Sequence, residues 1–325
     1  VTVLEGIRNK LPEAEIVYAP GPEIRRDIPH PFGEFDTIAR KPVQTPEEAE
    51  AAFQTAVKAA QEADVVIAVM GETQDMAGEF ASRGSLDLPG RQEELLKAVD
   101  ALGKPIVLVL LGGRPLSINW AAEHVPAILE AWEPGTEGGN AVADILFGDV
   151  NPGGKLPVTF PRSGNHAPLY YARTLTHMPE DHERYLSRYW DGPTTPLYPF
   201  GYGLSYTNFE IKNLKLSASE IKVGETLTVT AEVSNTGNHA GDEVVQLYIH
   251  QKWGSDSRPL RELKGFERIS IQAGETKQVS FQLGPDELRY WSTSAQGWIQ
   301  DVAEFDVWVG SDSQATLHAG FEVVA

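Results

Sequence analysis

The sequence predicts a layered α/β domain with a mostly parallel sheet, followed by an all-β sandwich. Up to about residue 150, short apolar runs alternate with amphipathic helical patterns, as in a βαβ series. From about Thr226 the apolar period falls to two, and turn signals recur at the spacing of short antiparallel strands.

Val1–Leu11 reads as a helix and Glu15–Tyr18 as a strand. Thr45-Pro46-Glu47-Glu48 is a helix start, with Thr as N-cap, Pro at the first position and Glu three residues after the cap. Ala49, Phe53, Ala56, Val57 and Ala60 then fall on one helical face. Val65–Met70 is a strand. Leu95, Leu96, Val99 and Leu102 mark the next helix, which ends at Gly103. Pro105–Leu111 is continuously apolar, as in a strand buried on both faces of a parallel sheet. Ala127–Trp132 is a further strand, and Glu137–Phe147 a helix closed by Gly148.

In the second half, Leu227, Val229, Ala231 and Val233 alternate with Thr228, Thr230 and Glu232. The same alternation runs through Val279, Phe281 and Leu283, and through Phe305, Val307 and Val309. Asn235-Thr236-Gly237 and Ala273-Gly274-Glu275 are turn signals between the runs. They imply an antiparallel β-sandwich of about 100 residues. Residues 150–207 are rich in Pro, Gly and Tyr, and are expected to wrap across the surface and pack at a domain boundary. The division is therefore 1–160 for the α/β domain, 161–207 for a connecting segment and 208–325 for the sandwich.

Composition narrows the function classes. The 325 residues suit two domains. A formal net charge of -19, without any Lys/Arg-rich run, argues against nucleic-acid binding, which needs clustered cations. The absence of cysteine removes disulfides, thiolate nucleophiles and Cys-ligated zinc. No apolar run approaches the roughly 20 residues that span a bilayer. The chain starts at Val1-Thr2-Val3-Leu4, without Met, and reads as the middle of a longer frame whose earlier part would carry any export signal.

Several motifs fail on mechanism. Val150–Leu156 superficially resembles a phosphate loop but lacks the glycine spacing and the Ser/Thr after Lys155. Gly135-Thr136-Glu137-Gly138-Gly139 precedes a helix, yet Glu137 would repel a pyrophosphate, and a glycine turn with helix entry is the simpler reading. There is no GxSxG and no HExxH. His177 and His182 stand with Glu180, Asp181 and Glu183; a solvated charged loop explains them better than a metal.

Residues 71–90 (GETQDMAGEFASRGSLDLPG) remain. This connection is long for a strand-to-helix link, and long loops are often functional. It leaves the C-terminal end of a strand, where α/β sheets place their sites. It carries Glu72, Asp75, Glu79, Asp87 and one base, Arg83. Carboxylates are what proton transfer to a leaving group requires. From spacing alone, a solvent-exposed loop with ordinary surface acids fits equally well.

The loop from Gly71-Glu72 through Met76-Ala77-Gly78-Glu79-Phe80-Ala81-Ser82-Arg83 to Asp87-Leu88-Pro89-Gly90 resembles the acid/base loop of glycoside hydrolase family 3 β-glucosidases. Three later segments resemble the same family: Trp132 to Gly139 (WEPGTEGG), Ala143 to Phe160 (ADILFGDVNPGGKLPVTF) and Pro196 to Phe209 (PLYPFGYGLSYTNF). Arg258-Pro259 and Leu263-Lys264-Gly265-Phe266 match the start of its C-terminal domain. The match covers nearly the whole chain in order, and is most similar to the bacterial β-glucosidase branch.

The resemblance implies an α/β sandwich followed by a fibronectin type III-like domain. It also implies an N-terminal barrel, on a companion or cleaved chain, that holds the nucleophilic aspartate of a retaining β-glucosidase. Retaining hydrolysis needs two carboxyl groups roughly 5–5.5 Å apart. The general acid/base falls on Glu79, with Glu72 and Asp75 as runners-up. Met76 and Arg83 are implied as substrate contacts. Arg83 is expected to point away from Glu79, toward Asp75 or Asp87. No cofactor or metal is implied. The substrate would be a β-glucoside or cello-oligosaccharide, as in cellulose degradation, and the location periplasmic or extracellular. A homodimer stays open. The alternatives are a related β-xylosidase or exo-glucanase, or a non-catalytic module pair that binds carbohydrate or protein. Support of domain packing fits the sandwich better than carbohydrate binding.

Overall fold

The computed structural model describes residues 1–24, 44–79, 81–174 and 189–325. These form two compact units, Val1–Val150 with Pro161–Ala167, and Asn151–Phe160 with Pro168–Ala325.

The first unit runs α1 (Val3–Lys10), α2 (Pro46–Glu62), β1 (Val66–Gly71), α3 (Gln92–Asp100), β2 (Ile106–Leu111), α4 (Asn119–His124), β3 (Ala127–Glu130) and α5 (Gly138–Leu146). Its sheet has three parallel strands in the order β1-β2-β3. Both faces of β2 are covered, which is why its sequence is apolar without alternation. Val109 and Leu111 pack with Val3 and Ile7 of α1 and Val142 and Ala143 of α5, while Leu108 and Leu110, which point the opposite way, are buried as well.

The helix starts follow local chemistry. Thr45 accepts the Glu48 N–H at 3.2 Å, and Glu48 returns a bond to the Thr45 N–H at 2.7 Å. Thr2 and Glu5 close the same box on α1. The glycines at the head of α5 serve packing rather than nucleotide binding. A Cβ on Gly139 would lie 1.9 Å from the Thr2 carbonyl oxygen, so only glycine lets α1 and α5 approach this closely.

One expected element is corrected. Glu15–Tyr18 forms no strand. So short a run needs a ladder partner, and among the described residues β1 at the sheet edge pairs with β2 alone. Val17 and Tyr18 stay exposed, and Ile16 alone packs against the core.

The second unit is a sandwich of β4 (Phe209–Leu216), β5 (Glu220–Lys222), β6 (Leu227–Asn235), β7 (Gly241–Gln251), β8 (Glu262–Ile271), β9 (Thr276–Leu283), β12 (Ala303–Gly310) and β13 (Leu317–Val324), with β10 (Tyr290–Ser292) and β11 (Gly297–Ile299) as a separate hairpin. One sheet is ordered β5-β13-β12-β7-β8, the other β4-β6-β9. Pairing is antiparallel except between β13 and β5, which run parallel. The alternating apolar residues of β6, β9 and β12 form the core between the sheets.

The family-like stretches 151–160 and 196–209 are built into this second unit. Leu156 N–H bonds to the Tyr202 carbonyl and Gly201 N–H to the Leu156 carbonyl, both at 2.8 Å. Phe160 bridges to Tyr198 as an isolated antiparallel pair. Tyr171 stacks on Phe200 and meets Tyr248 edge-on. Lys155, the lysine of the superficial phosphate loop, ion-pairs with Glu243 on β7 at 2.9 Å and donates to the Gly203 carbonyl at 3.1 Å. Tyr170, Tyr189 and Trp190 are exposed. Tyr185 and the His177, His182, Glu180, Asp181 and Glu183 group lie outside the described residues.

Candidate active site

Parallel strands end on the same edge, and here three loops leave that edge together. β1 leads into residues 72–91, β2 into Gly112-Gly113-Arg114, and β3 into Trp132-Glu133. A Cβ placed on Gly113 would touch both Glu133 and Ala77, so the middle loop lies against each of the other two.

The long loop is tied at both ends by one side chain. Buried Gln92, at the start of α3, accepts the Gly71 N–H at 2.7 Å and donates to the Gly71 carbonyl at 2.8 Å and the Pro89 carbonyl at 2.9 Å. Within the loop, Glu72 is the anchor, its side chain only 1% exposed. Its Oε1 accepts Nη1 of Arg83 and Nη1 of Arg114, each at 2.7 Å. Its Oε2 is buried without a hydrogen-bond partner among the described residues. The same Arg114 donates from Nη1 to the Met76 carbonyl at 2.5 Å and from Nη2 to the Ala81 carbonyl.

The structure separates the three candidate acids. Glu72 is sequestered between two guanidinium groups. Asp75 is exposed and accepts the Thr73 hydroxyl at 2.5 Å. Glu79 is exposed, directly after Gly78, which turns the chain at φ +96°. No hydrogen bond or ion pair joins the Glu79 side chain to the described residues. Met76 is buried and engages the site through its carbonyl. Arg83 points away from Glu79, but not to the expected carboxylates. Its anion is Glu72, and at Asp87 it binds the backbone carbonyl at 2.8 Å, while the Asp87 carboxylate takes the Ser85 hydroxyl. Glu72 wins because it is buried beside Arg83, and a buried carboxylate needs its cation more than an exposed one does.

Sequence reasoning missed Arg114, Gln92 and Glu130. Arg114 had a signal: a charged residue immediately after a buried parallel strand sits on the site edge. Gln92 had none, because a glutamine in a first helical turn reads as surface. Glu130 ends β3, where burial pushes its carboxyl up to about 7 against the opposing hydrogen bond from the Trp132 N–H at 3.0 Å.

Glu130 carries a stability prediction. Its folded-state proton affinity exceeds that of the unfolded chain, so the folded state holds more protons between about pH 4.5 and about pH 7. Stability should therefore fall as pH rises through that window and level off above it. A shift of this size is worth about 3 kcal/mol. Urea unfolding of the chain and of Glu130→Gln across pH 4.5–8 checks this. The variant should lose that share of the pH dependence, and parallel curves would refute it.

Residues 1–206 match the glycosyl hydrolase family 3 C-terminal domain, and residues 243–313 a fibronectin type III-like domain. The chain belongs to glycoside hydrolase family 3. It is 43% identical over 329 aligned residues to a periplasmic β-glucosidase of Salmonella typhimurium, covering 100% of this chain and 43% of that protein. A β-xylosidase of Formosa agariphila is 41% identical, with 97% of this chain and 40% of the relative aligned. A β-glucosidase structure from Erythrobacter marinus superposes with a TM-score of 0.89 at 37% identity, over 100% of this chain and 43% of the other. The Listeria innocua β-glucosidase in complex with gluconolactone gives 0.80 at 39% identity, over 87% and 39%. This family 3 chain thus spans about two fifths of the length of the relatives it matches.

Proposed function

We propose that this chain supplies the acid/base half of a retaining β-glucosidase that releases terminal β-linked glucose from oligosaccharides or glucosides. The observation that carries the reading is Glu79: an exposed carboxyl on the site edge of a parallel sheet, held by no side chain among the described residues, inside a loop whose other charges are engaged. A barrel domain outside these 325 residues would provide the nucleophilic aspartate, in keeping with relatives more than twice as long. In the first step the aspartate attacks the anomeric carbon while Glu79 passes its proton to the departing glycosidic oxygen. In the second, Glu79 takes a proton from water, whose oxygen attacks the anomeric carbon and frees the aspartate. In this scheme residues 1–160 carry the acid/base loop, 161–207 connect, and 208–325 form the supporting sandwich. Met76 and Arg83 are the proposed substrate contacts, Arg83 being also the ion-pair partner of Glu72.

A β-xylosidase is the second reading, favoured by the 41% identity to the Formosa agariphila enzyme. The periplasmic name of the Salmonella relative supports an exported location. Among the described residues, no helix is long and apolar enough to cross a membrane.

The test compares the full-length protein with this chain alone on 4-nitrophenyl β-glucoside and β-xyloside. The full-length protein should turn over the glucoside with the higher kcat/KM. The 325-residue chain alone should show no turnover, because it holds one carboxyl of the pair. Turnover by the pure chain at the full-length rate would overturn the shared-site reading. A higher kcat/KM on the xyloside would replace glucose by xylose as the glycone.

A further inference from the structure

We infer that Arg114 is the positioning residue for the general acid/base: its guanidinium fixes both feet of the short backbone bow that presents Glu79. The inference rests on the assignment of Glu79 proposed above. Buried Met76 and Ala81 are the ends of the bow, and Gly78 and Glu79 between them are exposed. Its two end carbonyls are bound by the two terminal nitrogens of the same guanidinium, Nη1 on Met76 and Nη2 on Ala81. Between them, Gly78 turns the chain and Ala81 N–H closes on the Gly78 carbonyl at 3.3 Å. Glu79 itself takes no bond from a described side chain, so its place is set by this backbone.

The guanidinium is in turn fixed. Glu72 Oε1 accepts it at 2.7 Å, Arg83 binds the same oxygen at 2.7 Å, and Arg83 Nη2 holds the Asp87 carbonyl at 2.8 Å. A relay therefore runs from the far limb of the loop, through Arg83 and Glu72, to Arg114 and the bow. Both arginine side chains are about four-fifths buried, at 18% and 20% exposure. Only a planar fork reaches two carbonyls and a carboxylate at once; a lysine ammonium is a point donor on a flexible stem. Proton transfer to a leaving group depends steeply on placement. A misplacement of about 1 Å can cost on the order of 10²-fold.

The experiment is a double-mutant cycle in the full-length enzyme, with Arg114→Lys, Glu79→Ala and the double variant. Each is assayed on cellobiose, whose leaving group needs a proton, and on 2,4-dinitrophenyl β-glucoside, whose leaving group does not. Rates are scaled to active sites counted by a 2-fluoro-glucoside inactivator. Arg114→Lys should lose about 10–10²-fold in kcat/KM on cellobiose and less than about threefold on the dinitrophenyl substrate. Added to Glu79→Ala, it should cost nothing further on cellobiose. Equal losses on the two substrates, or a multiplicative double variant, would overturn the positioning role while leaving Glu79 in place. If Glu79→Ala alone shows no leaving-group selectivity, both the acid/base assignment and this inference fall. Arg114→Gln, which keeps a donor for one carbonyl, replaces Arg114→Lys if the latter does not fold, and the same selectivity is required of it.

Discussion

Glu79→Ala in the full-length enzyme should lower kcat/KM on cellobiose by about 10²–10⁴-fold, the usual worth of general acid–base help. On 2,4-dinitrophenyl β-glucoside the first step needs little protonation, so the glycosyl-enzyme should form readily. Its hydrolysis should be slow, because no base activates water. Both kcat and KM should therefore fall, and added azide should raise kcat and yield β-glucosyl azide. Geometry separates this from the rival acids. Glu72 is enclosed by Arg83 and Arg114, so Glu72→Gln should leave two cations without their anion and lower stability, with no azide effect. Asp75 is exposed and bonded to Thr73, so Asp75→Asn should be close to neutral. Steady-state kinetics with and without azide on the three variants decide among them. Azide rescue of Glu72→Gln or Asp75→Asn, with Glu79→Ala near its normal rate on cellobiose, would move the acid/base function to that residue.

Lys155→Met should destabilise the chain by about 3–5 kcal/mol, because it strips the cation from a buried ion pair. The Lys155 and Glu243 side chains are 11% and 6% exposed. Burial pushes the Glu243 carboxyl up even with Lys155 beside it. Without Lys155 that rise should be larger. A carboxyl with raised folded-state proton affinity loses its stability contribution as pH rises, so the variant's deficit should be smallest in mild acid and grow toward neutrality. Lys155→Met with Glu243→Gln should recover much of the loss, since the amide keeps an acceptor for the Val244 N–H that Glu243 holds at 2.9 Å. Urea denaturation at pH 5 and pH 7.5 reads all three. A deficit below about 1 kcal/mol at both pH values would show that the pair does not hold Asn151–Phe160 to β7.

Much of this protein was legible in its sequence. The apolar run of β2, the capping box at Thr45 and the two-residue period of β6, β9 and β12 announce their elements because propensity, pattern and burial agree there. The ordered family-like segments pointed to the family from the chain alone. Glu15–Tyr18 misled because a strand is defined by its neighbour, and no local pattern supplies one. The lysine of the apparent phosphate loop could be rejected from spacing, but its partner Glu243, 88 positions away, could not be named. The same limit governs the site. The sequence by itself determined that a long acidic loop leaves a buried strand, and narrowed the acid/base candidates to Glu79, Glu72 and Asp75. Only the tertiary structure decided which acids are already committed. Arg114 comes from the end of a different strand, and sheet pairing alone brings it under the loop. Its hold on Glu72, Met76 and Ala81 spans more than thirty positions of chain, and such non-local bonds leave no periodic trace in a sequence.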